Sequence, residues 1–96
     1  MIQPNTYFDD HVRSLGYEDA EGKATVGVML PGEYTFNTAA PETMTVVTGR
    51  LTAKLPGGAG FVDYAAGASF EVPGDSAFEL KVATPPAYLC RFRRNG

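Results

Sequence analysis

Three polar residues, Glu33, Thr35 and Asn37, recur at alternate positions of one short run, and Glu42 follows five residues later. Alternate side chains of a β-strand share a face, so the run gathers a carboxylate, a hydroxyl and an amide. Turned toward a cavity, such a set would hydrogen-bond a polar ligand or bound water, because unpaired buried polar groups are costly. Tyr34 and Phe36 occupy the opposite face. If the aromatic face is the inward one, the run is a plain strand with a polar outside, and the two arrangements stand as alternatives. Transition-metal sites need convergent His or carboxylate ligands, for which Thr and Asn are poor substitutes. The one His, His11, sits beside Asp9 and Asp10 and reads as a surface residue. A hard-cation site from Glu42, Asp75 and Glu79 is a minor option.

Arg91 lies in an otherwise apolar run, Tyr88–Phe92. A guanidinium there is either an anion clamp, its planar fork matched to carboxylate or phosphate, or a cation snorkelling to solvent beside Arg93 and Arg94. Tyr34, Phe36 and Tyr88 could form a stacking platform for a planar ligand. Cys90 reads as an inert buried thiol. Ser14, Ser69 and Ser76 carry no nucleophile signature, and no Gly-rich phosphate loop precedes a helix.

The elements that position these residues are strands. Eleven Gly and seven Pro punctuate short runs rich in Val, Thr, Tyr and Phe, the pattern of a strand-and-turn protein. Strands are expected at 12–17, 24–30, 33–38, 43–48, 51–55, 61–65, 69–72, 78–83 and 88–92. Ala24, Val26, Val28 and Leu30 share one face and Thr25, Gly27 and Met29 the other; Phe78, Leu80 and Val82 likewise oppose Ala77, Glu79 and Lys81. Only 4–10 offers a short helical turn. So many strands in one domain of 96 residues must close on themselves or pack as two sheets, so we expect an all-β, antiparallel jelly-roll barrel spanning residues 1–96. A chain this small buries a thin core, and dimerisation would bury more.

The formal charge is −3, which argues against general nucleic-acid binding. A single cysteine fits a reducing compartment. Neither a signal peptide nor a membrane-spanning stretch is legible, so a cytoplasmic location is expected.

Two stretches resemble the motifs of cupins: Gly32–Glu42 followed by Gly49, and Gly67 followed by Pro73-Gly74. Aligning Glu42 to the motif glutamate places Thr35 and Asn37 where cupins carry metal-binding His, so the resemblance implies the barrel without its metal. The whole chain also resembles the small cupin-type pyrimidine/purine nucleoside phosphorylases of bacteria. Asn5–Phe8, Ser14–Gly16, Ala24–Met29, Gly32–Phe36 (GEYTF), Glu42–Val46 with Gly49, Gly67–Pro73 and Tyr88–Phe92 (YLCRF) carry that resemblance. Asp75 and Glu79 stand at positions that vary in the family, and 56–60 is unusually glycine-rich. The resemblance implies a homodimer that uses phosphate to cleave purine and pyrimidine nucleosides, with no cofactor, to free base and α-D-ribose 1-phosphate. That activity would make it a pentosyltransferase.

Residue roles follow from that chemistry. Arg91 would hold phosphate, with Thr35 as hydroxyl donor. Glu42 and Glu33 would grip ribose hydroxyls or stabilise the oxocarbenium charge, and a carboxyl raised in pKa by burial could protonate the base. Asn37 offers a donor and an acceptor. Tyr34, Phe36 and Tyr88 would sandwich the base. Tyr34 and Thr35, however, point to opposite faces of one strand, so both line one pocket only with a bulge or a dimer mate. The alternative is a non-catalytic cupin that binds a sugar or small anion.

Overall fold

The computed structural model describes residues 2–93; Arg94, the third of the C-terminal arginines, lies outside them. The chain forms ten strands: β1 (Gln3–Tyr7), β2 (Val12–Asp19), β3 (Gly22–Met29), β4 (Gly32–Thr38), β5 (Glu42–Thr48), β6 (Arg50–Lys54), β7 (Val62–Ala65), β8 (Ser69–Val72), β9 (Ser76–Val82) and β10 (Ala87–Phe92). Every pairing is antiparallel. Six strands make one sheet, in the order β1-β2-β3-β10-β5-β8, and four make the other, β4-β9-β6-β7. The chain crosses repeatedly between sheets, giving the expected jelly roll.

The core is the space between the sheets. Val12, Met29, Met44, Val46 and Val72 enter it from the larger sheet, and Tyr34, Leu51, Phe78, Leu80 and Val82 from the smaller. Rings run through it in sequence. Phe8 meets Tyr34 and Phe36, Phe36 stacks on Phe78 at 5.6 Å, and Phe70 bridges Phe78 to Tyr64. Such contacts add to the area these rings bury.

The segment 4–10 is not a helical turn. Its first part belongs to β1, whose Asn5 and Tyr7 pair with Ser14 and Val12 of β2. Phe8, Asp9 and Asp10 then take three successive left-handed conformations, φ 53°, 54° and 68°, which reverse the chain. Asp tolerates that region better than most residues. For Phe8, the rings of Tyr34 and Phe36 compensate.

β3 also departs from its expected orientation. Thr25, Gly27 and Met29 face inward, while Val26 and Val28 face outward, 42% and 51% exposed. The physical reason is Tyr88. It pairs with Gly27 across the strands, and the phenol end of its ring lies against that glycine. A Cβ on Gly27 would stand 2.6 Å from the phenol oxygen and 2.8 Å from the Arg13 carbonyl. A larger residue cannot occupy that notch, so the apolar alternation of β3 is turned outward. By contrast, Phe78, Leu80 and Val82 of β9 face inward as their alternation indicates.

Gly27→Ala is therefore expected to destabilise the fold by about 1–3 kcal/mol, the usual cost of overpacking, measured by urea unfolding. Wild-type stability in this variant would mean that Tyr88 is not seated on Gly27.

Candidate active site between the sheets

One cavity of about 190 Å³ opens between the sheets. β10, in the middle of the larger sheet, contributes Tyr88, Cys90 and Phe92; its neighbour β5 contributes Glu42 and Met44. Tyr7, Ser14, Thr25 and Met29 come from β1 to β3, and Phe36, Asn37 and Phe78 cross from the smaller sheet. Among the described residues, no Lys, Arg or His lines it. Its one carboxyl is Glu42.

Glu42 opposes Phe92 across the β5–β10 ladder, and Cys90 opposes Met44. Glu42 and Cys90 are therefore diagonal neighbours on the inward face, and the Cys90 thiol donates to Glu42 Oε1 at 3.2 Å. Burial pushes the Glu42 carboxyl above its ordinary range, and the thiol hydrogen bond opposes part of that shift. Burial likewise raises the Cys90 thiol, with the nearby Glu42 charge adding to the effect. Tyr88 is pushed up to about 12, chiefly by burial. At neutral pH the lining thus presents a protonated thiol and a protonated phenol. Beside them stands the Glu42 carboxyl, which burial holds above its ordinary range.

The inward face of β4 is the aromatic one. Tyr34 is 5% exposed and gives its hydroxyl proton to the Leu30 carbonyl. It belongs to the core and does not line the cavity. Phe36 does. Glu33 and Thr35 point outward and are exposed, so the inward cup of Glu33, Thr35 and Asn37 does not form. Those side chains carry the parity opposite to Tyr34, Phe36 and Thr38, and Thr38 turns inward to bond the Pro73 carbonyl. Asn37, at the end of the strand, still reaches the cavity rim.

Arg91 is also outside. It has the parity opposite to Tyr88 and Cys90, and its two terminal nitrogens each lie 3.0 Å from a carboxylate oxygen of Asp19. That fork lies on the outer face at the β2–β3 turn, so the anion clamped by Arg91 is part of this chain. Among the described residues no three of His, Cys, Asp and Glu come together as metal ligands. Asp75 sits in the turn before β9 and Glu79 faces outward, so the Glu42–Asp75–Glu79 cation site is not assembled.

Nothing local in the sequence marks Tyr7, Ser14 and Thr25 as cavity residues. They reach the cavity only because β1, β2 and β3 pair side by side, a long-range fact. Cys90 was legible as a buried thiol, but not as the partner of Glu42.

The raised Glu42 pKa has a stability consequence. The favourable contribution of the protonated form is fully present below the ordinary Glu value of 4.5 and is lost as pH rises through the higher folded value. Gln does not titrate. We expect Glu42→Gln to gain stability relative to wild type between pH 4 and neutrality, read from urea unfolding at both. A gap that does not change with pH would show Glu42 to be unperturbed.

The sequence model of the pyrimidine/purine nucleoside phosphorylase family matches residues 2–92. A protein of that name from Tolumonas auensis is 53% identical over 93 residues, covering 97% of this chain and all of the relative. Another from Pseudomonas entomophila is 56% identical, covering 97% and 99%. A crystal structure of a Vibrio parahaemolyticus protein of unknown function superposes with TM-score 0.91 at 52% identity, over 94% of this chain and 96% of that one. A cupin-2 domain from Rhodospirillum rubrum, 14% identical, shares the fold alone, with TM-score 0.74 over 97% of this chain and 72% of that one. With a match that runs from β1 through the last residue of β10, this chain belongs to the pyrimidine/purine nucleoside phosphorylase family.

Proposed function

We propose that this chain is a broad-specificity nucleoside phosphorylase, a pentosyltransferase that converts purine and pyrimidine nucleosides and phosphate to free base and α-D-ribose 1-phosphate. The observation that carries the proposal, beside the family, is Glu42: a carboxyl whose pKa burial raises, bonded to a thiol in a cavity faced with rings. A phosphate oxygen attacks C1′ of the ribose, the glycosidic bond breaks, and its electron pair passes to the base nitrogen. Glu42 donates its proton to that nitrogen and recovers one from hydrogen phosphate, so charge and atoms balance. Catalysis otherwise rests on positioning and on neutral donors set in advance.

Phe36, packed on Phe78, gives the base a ring to lie against, and stacking is tolerant of base identity. The Tyr88 phenol and the Asn37 amide supply donors to ribose and phosphate. A dianion is better tolerated at the open rim, where water screens it, than in the depth beside Glu42. Glu33, Tyr34, Thr35 and Arg91 take no part in this arrangement, and the reaction uses no cofactor. A lining that carries no cation among the described residues also favours a second reading, a non-catalytic cupin that binds a neutral sugar.

A homodimer forms part of the same reading. Leu15, Val26 and Leu89 stand in one cross-strand row on the outer face of the larger sheet, with Val28 beside them. Leu15 and Val28 are each 51% exposed. The row is uncharged at its centre, so two copies can meet about a two-fold axis without burying an ion. A cytoplasmic location accords with the single free, buried cysteine; among the described residues no helix is long and apolar enough to cross a membrane.

Uridine and adenosine should release uracil and adenine only when phosphate is present, read by chromatography. Release without phosphate dependence contradicts the proposal, and binding without release supports the second reading. Glu42→Gln should lower kcat/KM by at least about 100-fold, the low end of general acid catalysis. Arg91→Ala should leave the KM for phosphate unchanged; a large rise would return Arg91 to the site. Val26→Glu should halve the mass seen by sedimentation equilibrium, and an unaltered dimer would place the interface elsewhere.

A further inference from the structure

Cys90 is the cavity group that touches Glu42, and the proposed chemistry gives it no task. It sits mid-strand in β10 and touches Glu42 at a single oxygen, with 3.2 Å from Sγ to Oε1. Carboxyl oxygens are equivalent until something distinguishes them. Here the thiol occupies Oε1 as donor, so a proton on the same carboxyl belongs on Oε2. The other titratable groups that line the cavity are Tyr88 of β10 and Tyr7 of β1. β2, β3, β4 and β9 bring Ser14, Thr25, Asn37 and apolar side chains, and no charge. Nothing else among the lining groups is recorded bonding to Glu42.

We propose that Cys90 is a positioning residue, whose thiol fixes Oε1 of Glu42 so that Oε2 carries the proton into the cavity. The inference rests on Glu42 as the proton donor of the reaction. The choice of sulfur has a physical sense. A thiol is a weak donor, so it orients the carboxyl while stabilising the ionised form only slightly. A hydroxyl would hold the group as firmly and favour the carboxylate more, and a methyl would do neither. Burial keeps the thiol protonated, so the donor persists across the working pH range.

Two measurements test this, one of them without turnover. The chain has a single cysteine, so its S–H stretching band in the infrared is unambiguous. The band should move to lower wavenumber as Glu42 ionises, because a charged acceptor draws a stronger hydrogen bond, and Glu42→Gln should abolish that titration. A band that ignores pH in the wild-type protein overturns the proposal. The second measurement is the pH profile of kcat/KM, whose alkaline limb reports loss of the Glu42 proton. The limb should fall at lower pH in Cys90→Ser than in wild type, and at higher pH in Cys90→Ala. In Cys90→Ala the rate should also fall about two- to tenfold, the kinetic equivalent of one hydrogen bond. A purely structural role would lower the rate in both variants without ordering their limbs, and that result would also overturn the proposal. If no nucleoside is cleaved and the band still titrates, phosphorolysis fails while the coupling of thiol and carboxyl stands.

Discussion

The alternation of β10 is the constraint on which the site depends. β10 lies between β3 and β5 in the larger sheet, so each of its side chains is committed to one face by the pleat. Tyr88, Cys90 and Phe92 are committed inward, and Leu89 and Arg91 outward. A one-residue slip would exchange the two sets, placing a guanidinium in the cavity and a phenol, thiol and ring in solvent. Two notches hold the register. Gly27 leaves room for the phenol end of Tyr88 against β3, and the shift between Ala87 and Tyr88 on the β5 side absorbs an extra residue as a bulge.

From that commitment follows the electrostatic character of the cavity. It is mostly apolar, and among the described residues its lining includes one carboxyl and no cation. In such surroundings neutral forms are favoured, which explains why Tyr88, Cys90 and Glu42 all shift upward. The three shifts have one largest cause, loss of water. The outer face of the same strand does the opposite. Arg91 and Asp19 remain charged there because each is the other's partner at the surface, where such pairs contribute little to stability.

The fold was legible from its punctuation. Turns rich in Pro and Gly and runs of alternating polarity located nine of the ten strands, and β9 kept its expected face. β1 was missed because Gln3–Tyr7 is polar and contains a proline, and its strand character comes from pairing with β2 rather than from its own composition. The face of β3 was misleading for a related reason. Its apolar set, Val26 and Val28, lies on the outside, and its inward set is chosen by what must fit beneath Tyr88. In β4 the polar triplet looked like a binding surface, whereas burial selected Tyr34 and Phe36 for the interior. Of the residues singled out in the sequence, Glu42, Phe36, Asn37 and Tyr88 line the cavity, whereas the inward face of β4 was left open by its alternation. Arg91 looked like an anion clamp because sequence shows a cation without showing that Asp19, 72 positions away, already meets it.

The proposed reaction requires a nucleoside to enter the cavity with its glycosidic nitrogen toward Glu42. A crystal structure of the protein with a nucleoside bound in the absence of phosphate tests this. The expected result is the base against Phe36 and its glycosidic nitrogen within hydrogen-bonding distance of a Glu42 oxygen. A nucleoside seated on the outer face beside Arg91, with Glu42 untouched, would contradict it.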